Sequence, residues 1–294
     1  MARIAHLSDI HFGANDPKIV SATEAWLQQH QPDLVIISGD FTQRARVEQF
    51  RQASAWLNRL RAAGLRLLVV PGNHDVPLYD IFGRFGAPLR RYKRYINNDL
   101  CPWYEDREVA ILGLNTARSL TIKDGRINQD QMRLLRERFA PVAPEKTRIL
   151  VTHHPLFAMP IGEGGELSEA VGRHDDAVQA AREAGIHIAL AGHFHRTYAE
   201  AAQQMVANAG GSLVIQAGTA TSTRLRNAEP QSFNWLHVHR HDEIELQVVV
   251  WDGASFQRSH HVEYHHGGDG WTEREVADPR ATAGIRIAEK NARG

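Results

Sequence analysis

The sequence predicts an α/β domain built on a largely buried sheet, and three observations predict it. Apolar runs of strand length alternate with segments of helical period over most of the chain. Polar clusters fall at the ends of those runs rather than inside them. After Gly192 the long helical segments stop and strand patterns follow one another. Alternation of this kind is the pattern of βαβ units, whose crossover helices bury the faces of a mostly parallel sheet.

Strands are expected at residues 3–7, 34–38, 65–70, 109–115, 148–152 and 186–191, with helices at 19–30, 47–63, 129–139 and 177–184. Later strands at 213–217, 235–240 and 243–251 are expected to close a second sheet in antiparallel fashion. A chain of 294 residues can bury one large core, so residues 1–264 are taken as a single domain. Residues 265–294, rich in glycine, charge and small side chains, are expected to form a loosely packed tail.

Composition excludes several classes of function. Lys plus Arg (34) balances Asp plus Glu (34), which leaves no global field to attract nucleic acid or an anionic membrane. The basic run at 84–94 (RFGAPLRRYKR) reads as a solvated helix face. Cys101 is the only cysteine, so neither an intrachain disulfide nor a cysteine-rich zinc site can form. The N-terminus MARIAHLSDIHFG has no apolar stretch of the length a signal peptide or membrane span requires, and a cytoplasmic location without membrane insertion is expected.

The chemistry collects at the strand exits. RIAHLS runs into Asp9-Ile10-His11, DLVIIS into Gly39-Asp40, and RLLVVP into Gly72-Asn73-His74-Asp75. RILV runs into Thr152-His153-His154-Pro155, and HIALA into Gly192-His193-Phe194-His195. The carboxyl ends of parallel strands share one edge of the sheet, where ligands bind, so these clusters converge on one site. Residues two apart on extended backbone project to the same side, which pairs Asp9 with His11 and His193 with His195. With Asp40, Asn73 and His153 added, the nitrogen and oxygen donors exceed the needs of one tetrahedral ion and suit two ions about 3.5 to 4 Å apart. Gly39, Gly72 and Gly192 each precede a candidate ligand, where backbone must turn or pass closely.

This ordered set of motifs resembles the calcineurin-like metallophosphoesterases over roughly residues 3 to 196, and within them the bacterial class III cyclic nucleotide and glycerophosphodiester phosphodiesterases. The resemblance implies a four-layer α/β/β/α sandwich of two mixed sheets flanked by helices. It implies one ion held by Asp9, His11 and His195, another by Asn73, His153 and His193, and Asp40 bridging both. His74 matches the family histidine that contacts the phosphate and assists the leaving group, with Asp75 orienting its imidazole. The ions implied are divalent or trivalent Mn, Fe, Zn or Co, and the activity is hydrolysis of a small-molecule phosphodiester by a hydroxide bridging the ions. A pyrophosphatase acting on a nucleotide-linked lipid, or a sandwich that has lost catalysis, are the alternatives.

Other features carry less. The aromatics of 77–104 either stack on a substrate base or acyl chain or pack a helical insertion, and 155–166 (PLFAMPIGEGGE) has the composition of a lid. His154 either points away from its neighbour or supports it. His237, His239 and His241 share a strand face, which reads as exposed surface ahead of a third metal. The strand-rich C-terminal part offers an edge for a homodimer but does not demand one.

Overall fold

A computed structural model of the chain describes residues 1–78, 80–118, 125–156, 160–161, 166–167, 171–193, 198–201, 211–225, 229–268 and 270–276. The first half alternates β1 (Ala2–Leu7), α1 (Pro17–His30), β2 (Leu34–Ile37), α2 (Val47–Ala62) and β3 (Leu67–Val69). Two short helices follow, α3 (Ile81–Gly86) and α4 (Arg90–Tyr95), then β4 (Trp103–Glu105), β5 (Val109–Leu114), α5 (Gln129–Phe139) and β6 (Thr147–Thr152). After the small ribbon β7 (Pro160–Ile161) and β8 (Glu166–Leu167) come α6 (His174–Glu183), β9 (Ile188–Ala191), β10 (Tyr198–Ala201) and β11 (Leu213–Gln216). The described residues close with four strands, β12 (Ser232–Arg240), β13 (Glu243–Trp251), β14 (Phe256–Gly267) and β15 (Gly270–Glu275).

Local chemistry explains the helix boundaries. The Asp16 side chain accepts from the Lys18 N–H and Pro17 opens α1, where its missing N–H costs nothing. Asn128 caps α5 by accepting from Gln131, whose own side chain reaches back to the cap. The central strands are buried on both faces, as every residue of LVII in β2 is, because sheets lie on one side and helices on the other.

Strands pair into a seven-stranded sheet, β15-β14-β13-β12-β1-β2-β3, and a six-stranded sheet, β10-β11-β9-β6-β5-β4. Side chains such as Ile4, Ile36, Ile111, Val151 and Leu190 fill the space between the two sheets. A second cluster packs Trp26 of α1 and Trp56 of α2 on the outer face of the first sheet, and a third packs Leu135 of α5 and Ala180 of α6 on the outer face of the other. The layers are therefore α/β/β/α, two mixed sheets flanked by helices. Among the described residues no helix is long and apolar enough to cross a membrane.

Two sequence expectations are corrected. The late strands do not close a second sheet together: β11 lies parallel to β9, whereas β12 pairs antiparallel with β1 and carries β13 to β15 into the first sheet. Alternation along a strand reveals which face is buried but not which distant strand is its neighbour. Nor does a loose tail begin at residue 265, since His265 to Gly267 finish β14 and pair with β15. Trp271 of β15 is 6% exposed and donates its indole N–H to the Gly211 carbonyl. The remainder of the predicted tail, 277–294, lies outside the described residues, as do 157–159 and 162–165 of the predicted lid.

Because Trp271 fills the inter-sheet core, Trp271→Ala is expected to cost about 3–5 kcal/mol. Urea unfolding measures this, and a loss below ~0.5 kcal/mol, the range of an ordinary surface substitution, would restore the loose-tail reading.

Candidate metal centre

The loops that leave β1, β2, β3, β6 and β9 bring the predicted residues to one edge shared by the two sheets. Backbone geometry marks the place. Asp9 (φ 55°), His11 (φ 53°), Asp40 (φ 55°) and His193 (φ 77°) all adopt left-handed conformations that cost a residue with a Cβ of order 1–3 kcal/mol. Such strain persists only where the surroundings over-determine it. Glycines allow the close approach: a Cβ on Gly72 would stand 2.1 Å from Asp40 Oδ1 and 2.4 Å from Asp40 N. Gly39, at φ +101°, lies under the His153 ring.

Asp40 is at the centre. His11 Nε2 lies 3.7 Å and His153 Nε2 3.4 Å from its Oδ2. On one flank His11 Nε2 is 3.4 Å from Asp9 Oδ1. On the other, the Asn73 Oδ1 lies 3.0 Å from His153 Nε2 and 3.1 Å from His193 Nδ1. The structure thus brings together Asp9, His11, Asp40, Asn73, His153 and His193, in two groups that share Asp40. His195, predicted beside Asp9 and His11, lies outside the described residues.

The donor set fits cations. His153 Nδ1 is 2.7 Å from the Ser38 carbonyl, which can only accept, so the proton is on Nδ1 and the neutral ring turns its Nε2 lone pair toward Asp40 and Asn73 oxygens. Lone pairs converge there, and separations of 3.0 to 3.7 Å are those of co-ligands bonded at about 2.0 to 2.2 Å to a shared ion. Without a cation, protons take its place. Burial opposes the His153 imidazolium, yet the Asp40 carboxylate outweighs it and pushes the group up to about 9. Burial likewise opposes the Asp40 charge, but His153, His74 and His11 hold that carboxyl well below the usual range.

His74 and Asp75 stand next to this cluster in different roles. The His74 backbone N–H donates to Asp40 Oδ1 at 2.8 Å, and its ring Nδ1 is 2.9 Å from the Gln43 carbonyl. The ring proton therefore sits on Nδ1, leaving Nε2 for a ligand. The carbonyl of Gln43, not the Asp75 carboxylate, orients the imidazole, which corrects the role predicted for Asp75. Both Asp75 oxygens are taken by the N–H groups of Phe41, Thr42 and Gly72 and by the Thr42 hydroxyl, at 3.0 to 3.2 Å. Asp75 clamps the Asp40 loop to the Asn73 loop. Burial, and then the Asp40 charge, push its carboxyl up to about 6.

Further supports carry no motif. Thr219 Oγ1 donates to the Asp9 carbonyl at 2.9 Å, and Thr221 Oγ1 to the Ile10 carbonyl at 2.7 Å. Gln216 Nε2 donates to the Gly192 carbonyl at 2.9 Å, and the His193 N–H to Asp9 Oδ2 at 3.1 Å. The only sequence sign of these props is the short polar run Thr219-Ala220-Thr221-Ser222 after β11. His154, left open by the sequence, is buried with Nδ1 2.8 Å from Thr116 Oγ1, and a ring nitrogen lies within 4.8 Å of ligand atoms of His153 and His193. In the 77–104 segment, Tyr92 is buried against Phe41 and Tyr95 stacks on Phe50, so these aromatics pack beneath the Asp40 loop.

The family model for calcineurin-like phosphoesterases matches residues 2–197. The chain belongs to that family. It is thereby a metal-dependent phosphoric ester hydrolase by kinship, and the match spans every loop that carries a candidate ligand, though not the Thr219–Ser222 run that props them. A probable cyclic nucleotide phosphodiesterase of Synechococcus sp. is 24% identical over 217 residues, covering 66% of this chain and 74% of that protein. A glycerophosphodiester phosphodiesterase of Enterobacter lignolyticus is 35% identical over 83 residues, 24% of this chain and 29% of the relative. Among solved structures, the purple acid phosphatase of yellow lupin seeds aligns with a TM-score of 0.68 at 15% identity over 87% of this chain, which spans only 52% of the lupin protein. A dimetal phosphatase from Danio rerio aligns at 0.58 and 11% identity, over 83% and 95% of the two chains. At these identities the structures speak for the fold.

Two predictions follow from the geometry. Loading a cation on His153 must displace a proton held up to about pH 9, so apparent affinity rises with pH below that value. Competition titrations with Mn are expected to give at least ~10-fold tighter binding at pH 8 than at pH 6, whereas equal affinities would contradict the proton competition. Gly72→Ala, which drives a methyl into Asp40, is expected to destabilise the fold by about 1–3 kcal/mol and to abolish metal retention on a desalting column; a variant that keeps its metal would show the approach is not required.

Proposed function

We propose that the chain hydrolyses a phosphodiester, with a 3′,5′-cyclic nucleotide or a glycerophosphodiester as the substrate class, using two ions held on either side of Asp40. The observation that carries this reading is the double grouping around that carboxylate: Asp9 and His11 on one flank, Asn73, His153 and His193 on the other. His195 completes the first flank in this reading. The names of the two curated relatives, both phosphodiesterases, support the substrate class.

When bound, an ion pair supplies a water activated near neutral pH and neutralises charge on the phosphate oxygens. The chain supplies the rest. Asp40 fixes the spacing of the two flanks, and Asn73 adds a neutral oxygen so that the site keeps net positive charge for an anionic substrate. His74, held through Nδ1 by Gln43, presents Nε2 to the phosphoryl group and, when protonated, delivers a proton to the departing alkoxide. Buried Asp75 keeps the two loops in register through its bonds to Phe41, Thr42 and Gly72.

The test compares bis(p-nitrophenyl) phosphate with p-nitrophenyl phosphate, using metal-stripped protein reloaded with Mn. Faster cleavage of the diester, abolished in Asp40→Ala, is the expected result. His74→Ala is expected to retain its metal by elemental analysis and to lose turnover at least ~100-fold. Preference for the monoester would overturn the phosphodiesterase assignment, and unchanged turnover in His74→Ala would remove that residue from the chemistry.

A further inference from the structure

One imidazole at the metal centre has no part in the two ligand groups or in the chemistry proposed for His74. His154 is 3% exposed and is held at several points. Its backbone N–H donates to Thr116 Oγ1 at 3.2 Å, the same hydroxyl oxygen stands 2.8 Å from its ring Nδ1, and its carbonyl accepts from Thr152 Oγ1 at 2.8 Å. Gly125 lies on the ring, since a Cβ there would stand 2.5 Å from His154 Cγ and 2.6 Å from its Nδ1. The Arg126 N–H, donating to the Thr116 carbonyl at 3.0 Å, ties these two neighbours of His154 together. A ring gripped by a hydroxyl and backed by main chain has little freedom to swing.

What the held ring meets is a pair of candidate ligands. Its centre lies 4.5 Å from that of His193, tilted by 46°, and 4.8 Å from that of His153, nearly perpendicular to it. His193 is the ligand that depends on such a neighbour. Its backbone, at φ 77°, is tied by the N–H bond to Asp9 Oδ2, and the Gln216 bond to the Gly192 carbonyl secures the residue before it. Neither bond sets the rotation of the imidazole about its side-chain torsions. The approach of His193 Nδ1 to Asn73 Oδ1 at 3.1 Å cannot do so once an ion is bound, because both atoms then turn lone pairs to the cation. Packing against a rigid ring can.

We propose that His154 is a positioning residue: anchored by Thr116, it acts through His193 and sets the direction in which that imidazole offers Nδ1 to an ion on the Asn73 flank. Contacts outside the ligand set commonly fix the ring orientation of a ligating histidine and tune how tightly it holds the metal. The run Thr152-His153-His154 thus uses its two histidines differently, the first toward the ion and the second toward another ligand. A ring nitrogen of His154 also lies within 4.8 Å of ligand atoms of His153 and His193, so a direct bond to the ion is the rival role. Engagement of Nδ1 by Thr116 weighs against it. The inference rests on the reading of this flank as an ion site.

Crystal structures of metal-free wild type, His154→Ala and His154→Phe read the ring geometry, and Mn competition titrations on the same full-length proteins read the affinity. In His154→Ala the His193 ring is expected to move away from Asn73 Oδ1 beyond hydrogen-bond distance, and one Mn to bind at least ~10-fold less tightly, the scale of losing an outer contact of a metal ligand. His154→Phe keeps a ring and removes both nitrogens; it is expected to leave His193 in place and to bind Mn nearly as wild type does. A His193 ring unmoved in His154→Ala overturns the proposal. So does a His154→Phe protein as weak in Mn as His154→Ala, which would make His154 a donor to the ion. If His193 moves in His154→Ala but wild type itself binds no Mn, the packing role stands and the ion-site reading falls, so the two failures are told apart.

Discussion

A carboxylate that is 1% exposed cannot stay charged inside a protein unless cations or hydrogen-bond donors surround it, and Asp40 meets that condition from several loops at once. His11 and His153 approach its Oδ2, and the His74 backbone N–H approaches its Oδ1. Those partners come from loops after β1, β3 and β6, that is, from both sheets. Holding one charged group in common forces the edges of the two sheets together, and the rest of the site takes its position from that requirement.

The loops around Asp40 adopt conformations that no isolated peptide would choose. Asp9, His11, Asp40 and His193 sit at positive φ, and each is tied down elsewhere. Thr219 and Thr221 hold the Asp9 loop, Asp75 holds the Asp40 loop, and Gln216 with Asp9 holds the His193 turn. A polar shell of this kind preorganises donors before any ligand arrives, which is what transfer of a phosphoryl group demands of a protein that contributes mainly position and charge. Buried Tyr92 and the stacked pair Phe50 and Tyr95 supply the apolar floor beneath the same loops.

Much of this was legible in the sequence because it is local. A strand that ends in Gly-Asp or Gly-Asn-His-Asp announces both its own exit and the donor it carries, and the helices α1, α2 and α5 follow directly from the helical period of their apolar residues. What was illegible depends on partners distant in the chain. Asp75 reads as a neighbour of His74, yet its bonds go to Phe41 and Thr42, so its clamping role emerges only once the loops meet. The pairing of β12 with β1 joins opposite ends of the domain and leaves no trace in either strand. β14 was hidden for another reason: FQRSHHVEYHHG carries so many polar residues that only Val262 and Tyr264 mark its inter-sheet face, and Phe256 packs on the opposite, helix-covered face.

The central claim is that Asp40 is shared by two ions, and an anomalous difference map from crystals soaked in Mn tests it most directly. The account predicts two peaks flanking Asp40 about 3.5 to 4 Å apart, one against Asp9 and His11, the other against Asn73, His153 and His193. A single peak at Asp40, or none beside a fully ordered carboxylate, would contradict it.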